Sequence, residues 1–424
     1  MGTVTVMRDQ DTARGHDGTR ITTREAAELL GVKPETVYAY VSRGQLSSRR
    51  EPGGRGSTFD TEEVAALARR NRREPAGGSP AAGELSVRTS ITLIEKDRYF
   101  YRGVDATELA DRHSYEEIAE WLWTGRLRPG ITFTAPEAAV TVARRAVAAL
   151  PEHTGPTDRL RVAAIAAATA DPLRFDLSPQ AVLGAARALI PTLVAALPPL
   201  RPDHRDEGPL ARRLWGRLTG RDPDETSVGA LDTALGLLAD HDLAASTLAV
   251  RVAASARAHA YAAVSAGLGV LEGPLHGAAG GLAHRMLLDV LDRGTAAPVV
   301  ADELRAGRRI PGLGHRLYPG EDPRARALFC VLEELPAAAP ALAAARDIVS
   351  TTARHAPLHA NVDLALAVLT VASGMEATAA ETVFAVARTA GWIAHTLEEY
   401  EERPLRMRPS GRYAGARPPQ PLPR

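Results

Sequence analysis

The sequence predicts an all-α protein: a large helical domain with a smaller helical cap, preceded by a small, separately folded basic unit. Three observations predict it. Apolar residues make up 45% of the 424 positions but aromatics only 4%, so alanine and leucine carry the core, and both favour helix. From about Leu85 to Tyr413 the chain reads as a run of helices broken by short Gly/Pro turns. Ahead of that run, Glu74-Pro-Ala-Gly-Gly-Ser-Pro-Ala-Ala-Gly83 has the composition of a linker.

The expected organisation is a disordered tail (1–19), a compact unit (20–73), the linker (74–85), the main domain (86–415) and a mobile tail (416–424). In the compact unit, Thr22-Thr23-Arg24-Glu25 is a capped helix start, with Ala26, Ala27, Leu29 and Leu30 as the apolar face. Gly31 breaks that helix, Pro34 suits the first turn of a second, and Val37, Tyr38 and Val41 supply its face until Gly44. Ser47 to Thr58, with Pro52-Gly53-Gly54 inside, reads as a wing, and Asp60 or Thr61 caps a third helix over Glu62 to Arg69. The unit holds 11 basic and 7 acidic residues, a net of +4 in a chain whose formal net charge is zero. Overall neutrality argues against nucleic-acid or membrane-surface binding by the whole chain, so any such role belongs to this unit.

This order of helices and wing resembles the small winged helix-turn-helix domains of the MerR and excisionase type. The resemblance implies a second helix in the major groove and wing arginines on phosphates, which makes Lys33, Thr36, Tyr38, Arg43, Arg49 and Arg55 candidate DNA contacts. The same residues also fit a solvated basic face on a packing module.

The single cysteine, Cys330, excludes an intrachain disulfide and sits in an apolar run, so a buried position is expected. The first 20 residues have no apolar core and no stretch approaches the roughly 18–20 apolar residues of a membrane span, so a cytoplasmic protein is expected.

Three histidine segments and one aspartate segment stand out in the main domain: Leu238-Ala-Asp-His241, ending in Ala-Ser-Thr247; Gly273-Pro-Leu-His276-Gly; Gly312-Leu-Gly-His315-Arg-Leu-Tyr318 followed by Asp322-Pro-Arg324-Ala; and Asn361-Val-Asp363. Taken singly, a histidine in a Gly-rich turn reads as structural and an aspartate before an apolar run as a helix cap. No pair has the i, i+4 or H-E-x-x-H spacing of a zinc site, so no metal is expected.

Together, and in this order, the segments resemble the citrate synthase family. Tyr101-Arg-Gly103 near the start, Ala387-Arg388-Thr-Ala-Gly-Trp-Ile-Ala-His395 and Arg408-Pro409-Ser-Gly-Arg-Tyr413 near the end extend the resemblance over residues 86–415. It implies the family's large and small helical domains with the active site in the cleft. It also implies condensation of acetyl-CoA, or propionyl-CoA, with oxaloacetate, the CoA thioester being a substrate and no cofactor being needed. Asp363 would be the base, His276 the donor to the enolate and His315 the donor to the 2-oxo carbonyl. His241, Arg324 and Arg388 would hold the oxo acid. Arg408 would reach the neighbouring subunit's site, which implies a homodimer. Two departures concern the CoA side. Gly280 stands where the family commonly has an amide in H-G-G-A-N, and the usual lysines near Pro319 and before N-V-D are missing, leaving Arg308, Arg309 and Arg316 as candidate phosphate contacts. The other reading is a DNA-binding regulator whose enzyme-like domain senses a metabolite.

Overall fold

The computed structural model describes residues 20–42, 46–50, 57–71, 87–201, 203–273, 277, 279–409, 413–417 and 419–420. The expected tail 1–19 and linker 74–85 lie outside them, as does most of 416–424. The chain divides into two compact units, Met1–Val87 and Arg88–Arg424.

The first unit runs β1 (Arg20–Thr22), α1 (Thr23–Leu30), α2 (Pro34–Ser42), β2 (Ser48–Arg50), β3 (Ser57–Asp60) and α3 (Thr61–Asn71), with antiparallel strand order β1-β3-β2. A reciprocal capping box between Thr22 and Glu25 starts α1. Asp60 starts α3, its Oδ1 accepting the N–H groups of Glu62 and Glu63 at 2.9 and 3.1 Å. Ala26, Ala27, Leu30, Val37, Leu46, Phe59, Val64 and Leu67 form the core. Two expected core residues are instead exposed, Leu29 at 38% and Tyr38 at 48%. At about 100° per residue a helix eight or nine residues long buries only one stripe, and Leu30 and Val37 occupy it. Lys33, Tyr38 and Arg49 are exposed and Thr36 is half-buried. Arg43, Gly44, the wing-tip glycines and Arg55 lie outside the described residues.

The second unit is mainly helical, as expected, but opens with a small antiparallel sheet that the helical reading omitted: β4 (Thr92–Glu95), β5 (Arg98–Tyr101) and β6 (Val104–Asp105). Alternation explains it, since Tyr99 and Tyr101 are buried while Arg98 points out. Their hydroxyls donate to the Leu237 carbonyl at 3.1 and 3.2 Å, fastening the sheet to the end of a helix that enters the site.

Fifteen helices follow among the described residues: α4 (Ala106–Arg112), α5 (Tyr115–Thr124), α6 (Glu137–Ala148), α7 (Pro156–Thr169), α8 (Pro179–Ala196), α9 (Leu210–Leu218), α10 (Glu225–Leu238), α11 (Ala245–Ser255), α12 (Ala260–Leu271), α13 (Ala279–Arg293), α14 (Ala296–Arg305), α15 (Pro323–Glu333), α16 (Ala339–Ala353), α17 (Val362–Ala372) and α18 (Ala379–Glu401). The 23-residue α18 is buried along most of its length and packs against α5, α7, α8, α10, α11, α12, α13 and α17, the behaviour of a helix apolar on nearly every side. Helices α13 to α17 pack largely on one another, and α13, α15 and α17 join them to α4, α10 and α18. The site lies at that seam.

Two expectations fail here. Helix α8 is 18 residues long and apolar enough by length and composition to cross a bilayer; Val182, Ala186 and an unbroken buried run from Leu189 to Ala196 make it a core helix instead. Cys330 is exposed, because α15 turns Ala325, Leu328 and Leu332 inward and residue 330 falls on the opposite side.

Candidate active site

Helix α10 ends at Leu238, and the turn after it buries His241 at 7% exposure. His241 Nε2 lies 2.8 Å from the Tyr318 hydroxyl. The His241 and His315 rings stand 5.2 Å apart, and His315 and Tyr318 4.9 Å apart. The loop carrying His315 is laced to the segment before α17. Gly314 N–H donates to His359 O at 2.8 Å, Asn361 N–H to Gly312 O at 2.9 Å, and Asn361 Nδ2 to Gly314 O at 2.8 Å.

His315 Nδ1 accepts the Leu317 N–H at 3.1 Å. A neutral imidazole that accepts at Nδ1 carries its proton on Nε2, so His315 presents a donor. Burial, reinforced by the Arg324 charge, lowers its pKa to about 4 and keeps the ring neutral. Burial also pushes His241 well down, with Arg324, Arg388 and His315 acting in the same direction.

Asp322 organises this end of the site. It caps α15, accepts Arg324 Nε at Oδ1 (3.0 Å) and Nη2 at Oδ2 (2.8 Å), and takes the Val362 N–H at 3.1 Å. One carboxylate thereby orients Arg324 and ties the starts of α15 and α17 together. The forked pair uses the Nε and Nη2 edge of Arg324, and Nη1 is outside it.

Asp363 is the second residue of α17, whose cap is Asn361: Asn361 Oδ1 accepts the Asp363 N–H at 3.0 Å. The aspartate is therefore not itself the cap. Burial pushes its carboxyl up to about 6 against the opposing Arg324 charge, with Asp322 adding to the rise. A Cβ at Gly280 would lie 3.8 Å from Asp363 Oδ1 and 2.8 Å from Ala380 Cβ, so the amide position of the H-G-G-A-N pattern has no room for a side chain here. His276 lies outside the described residues.

Arg388 projects from α18 with 1% exposure, and its Nε donates to Leu238 O at 2.9 Å. Its Nη2 is buried without a hydrogen-bond partner among the described residues. A buried guanidinium nitrogen left so is costly, and an anionic ligand would satisfy it. Burial holds its pKa below the usual value while Asp240 opposes that shift. The Arg324 charge acts on His241, His315, Asp363 and Arg388 alike, so one cation lies within electrostatic reach of all four.

Four candidates lie elsewhere. Arg408 is exposed on the segment after α18, and no hydrogen bond or ion pair among the described residues joins it to the cluster. Arg308 is already forked onto Glu303 at 2.7 and 2.9 Å, while Arg309 and Arg316 are exposed. Sequence reasoning missed Asp322, Tyr318 and Asp240 as site-building residues. All three stood inside quoted motifs, and Asp322 before Pro323 was legible as a helix cap.

The sequence model of the family described as "Citrate synthase, C-terminal domain" matches residues 81–410. The chain belongs to the citrate synthase family. A second model, "Helix-turn-helix domain", matches residues 21–72. Among similar proteins are Citrate synthase 2 of Bacillus subtilis, 31% identical over 357 residues (78% of this chain and 94% of that protein), and a citrate synthase of Haloferax volcanii, 33% identical over 365 residues with the same coverage. A 2-methylcitrate synthase of Mycobacterium tuberculosis is 28% identical over 354 residues (79% of this chain and 89% of that protein). The crystal structure of citrate synthase from Pyrobaculum aerophilum superimposes with a TM-score of 0.68 at 28% identity, covering 80% of this chain and 92% of that one. Citrate synthases condense a CoA thioester as substrate and need no cofactor. Among the described residues no group of three or more His, Cys, Asp or Glu could hold a metal ion.

Proposed function

We propose that the protein condenses acetyl-CoA with oxaloacetate to give citrate and CoA, with propionyl-CoA as the alternative acyl donor. The observation that carries this reading is the convergence on Arg324 of the raised Asp363 carboxyl, the neutral His315 donor and the unsatisfied Arg388. Arg324, Arg388 and His241 hold the two carboxylates and the carbonyl end of the oxo acid. Asp363 takes a proton from the acyl α-carbon, and His276 donates to the enolate oxygen. That carbon bonds to the 2-oxo carbon while His315 Nε2–H stabilises the developing alkoxide. Water then cleaves the thioester, releasing a carboxylate and the CoA thiol.

The partner's Arg408 completes the site in this reading, which makes the protein at least a homodimer. Ile165, Leu173 and Phe175, exposed at 55%, 66% and 69%, offer an apolar surface such a partner would cover. The decisive assay is thiol release by purified protein with oxaloacetate and either thioester. One methylene distinguishes the donors by about 10–200-fold in kcat/KM. No thiol release with either would remove the enzymatic reading.

The helix-turn-helix match and the exposed Lys33, Tyr38 and Arg49 favour a second role, DNA contact by the first unit. Binding to duplex DNA should then fall steeply as salt rises, because phosphate contacts release counterions. Absence of binding at low salt would leave the unit as a packing module.

A further inference from the structure

Helix α18 carries a line of polar residues that begins at the site and runs away from it. Arg388, His395, Glu398 and Glu399 recur at spacings that share one face, with Gly391 between them. At the site end is Asp240, next to His241 and fully buried. Its Oδ2 accepts the Thr92 hydroxyl at 2.5 Å, and His395 Nε2 lies 3.4 Å from Oδ2 and 3.3 Å from Oδ1. The 3.3 Å approach to Oδ1 is too poorly aimed for a hydrogen bond. Gly391 permits this meeting, because a Cβ there would lie 2.8 Å from Asp240 Cβ.

The chain continues without a break. His395 Nδ1 accepts Arg251 Nη1 at 2.9 Å, and Arg251, with no exposed side-chain surface, also donates to Glu398 at 2.6 Å and to Glu399 at 3.1 Å. Glu399, equally buried, then accepts the Nε and Nη2 edge of Arg406: Nε on Oε1 at 2.8 Å and Nη2 on Oε2 at 2.6 Å. Arg406 lies two residues before Arg408.

The segment between α18 and Arg408 is held at several further points. Arg257 donates to the carbonyls of Glu399 and Glu402 at 3.0 and 2.6 Å, and Leu405 N–H donates to Ser255 O at 2.8 Å. Met407 is buried, and Leu405 stands at φ 59°, a left-handed conformation that a branched residue keeps only where its surroundings impose it. Buried ion pairs contribute little net stability compared with apolar packing of the same volume, so a chain of them is better explained by the geometry it fixes.

We propose that Arg406 is a positioning residue for the oxo-acid site: through Glu399, Arg251 and His395 it locks the strap carrying Arg408 to Asp240, beside His241 and Arg388. This rests on the reading of Arg408 as an oxo-acid ligand. The test compares Arg406→Ala, Arg406→Lys, Arg408→Ala and the Arg406→Ala/Arg408→Ala double variant in the full chain. Measured quantities are KM for oxaloacetate, KM for acyl-CoA, thermal midpoint and dimer mass.

Arg406→Ala should raise the oxaloacetate KM about tenfold, the scale of a lost charge-assisted contact. Its acyl-CoA KM and dimer mass should be unchanged, and Arg406→Lys should recover part of the loss. The double variant should be no worse than Arg408→Ala alone, since Arg406 acts only through Arg408. Additive losses, or a lowered thermal midpoint with an unchanged oxaloacetate KM, would overturn the proposal and leave Arg406 a structural residue. If Arg406→Ala fails to fold, the lysine variant carries the same comparison. An unchanged KM in Arg408→Ala would instead overturn the reading of Arg408, and this inference with it.

Discussion

Replacing Asp363 with alanine is expected to reduce thiol release by about 10²–10⁴-fold, the contribution of a positioned general base, while oxaloacetate binding measured by calorimetry hardly changes. The residue acts on the acyl donor, and the groups proposed for the oxo acid are Arg324, Arg388 and His241. Its environment also sets a pH dependence. Asp363 works as the carboxylate, and its pKa is pushed up to about 6. The rate with acyl-CoA should therefore fall as pH drops through about 6, where an ordinary aspartate would hold its activity down to about 4. At pH 7 the base is about tenfold more ionised than protonated, so its basicity is raised with little loss of the active form. Near-normal turnover in the alanine variant would remove the assigned role. An acidic limb near pH 4 in the wild type would show that burial does not act on the base as described.

Mixing two inactive or impaired proteins should restore activity if Arg408 serves the partner's site. Arg408→Ala alone should lose on the order of 1.5–3 kcal/mol in oxaloacetate use, as a charged hydrogen-bond partner disappears. Its fold should survive, because the side chain is exposed. In a mixed dimer with Asp363→Ala, one site would then carry both defects and the other neither, and thiol release should return to about half that of the unmodified dimer. If Arg408 serves its own chain, every site in the mixture keeps one defect and no activity returns. Subunit exchange is confirmed separately by mass, so failure to recover would be decisive against the shared site.

Much of the site was legible because short local patterns carried it. His241, His315, Arg324, Asp363 and Arg388 stand in four separate segments, and their order along the chain was enough to suggest one family. Helix starts were legible for the same reason: the Thr22–Glu25 capping box and the Asp322-Pro323 turn are satisfied within a few residues. Composition alone made the second unit mainly helical.

The sheet over residues 92–105 escaped because its strands are four residues or fewer, and their aromatic alternation is stabilised by a distant partner, the end of α10. Leu29, Tyr38 and Cys330 were misplaced because apolar character does not say which side of a short helix is covered. The bond from the Val362 N–H to Asp322, the burial that keeps His315 neutral and the raised pKa of Asp363 belong to the tertiary structure alone. So does the ionic chain from Asp240 to Arg406, whose members come from four parts of the sequence. Residue identity determined by itself which groups could donate, accept or carry charge. Which of them would be stripped of water, and which carboxylate would meet which arginine, was decided only by burial, because those energies depend on distance and on solvent exclusion between residues far apart in the chain.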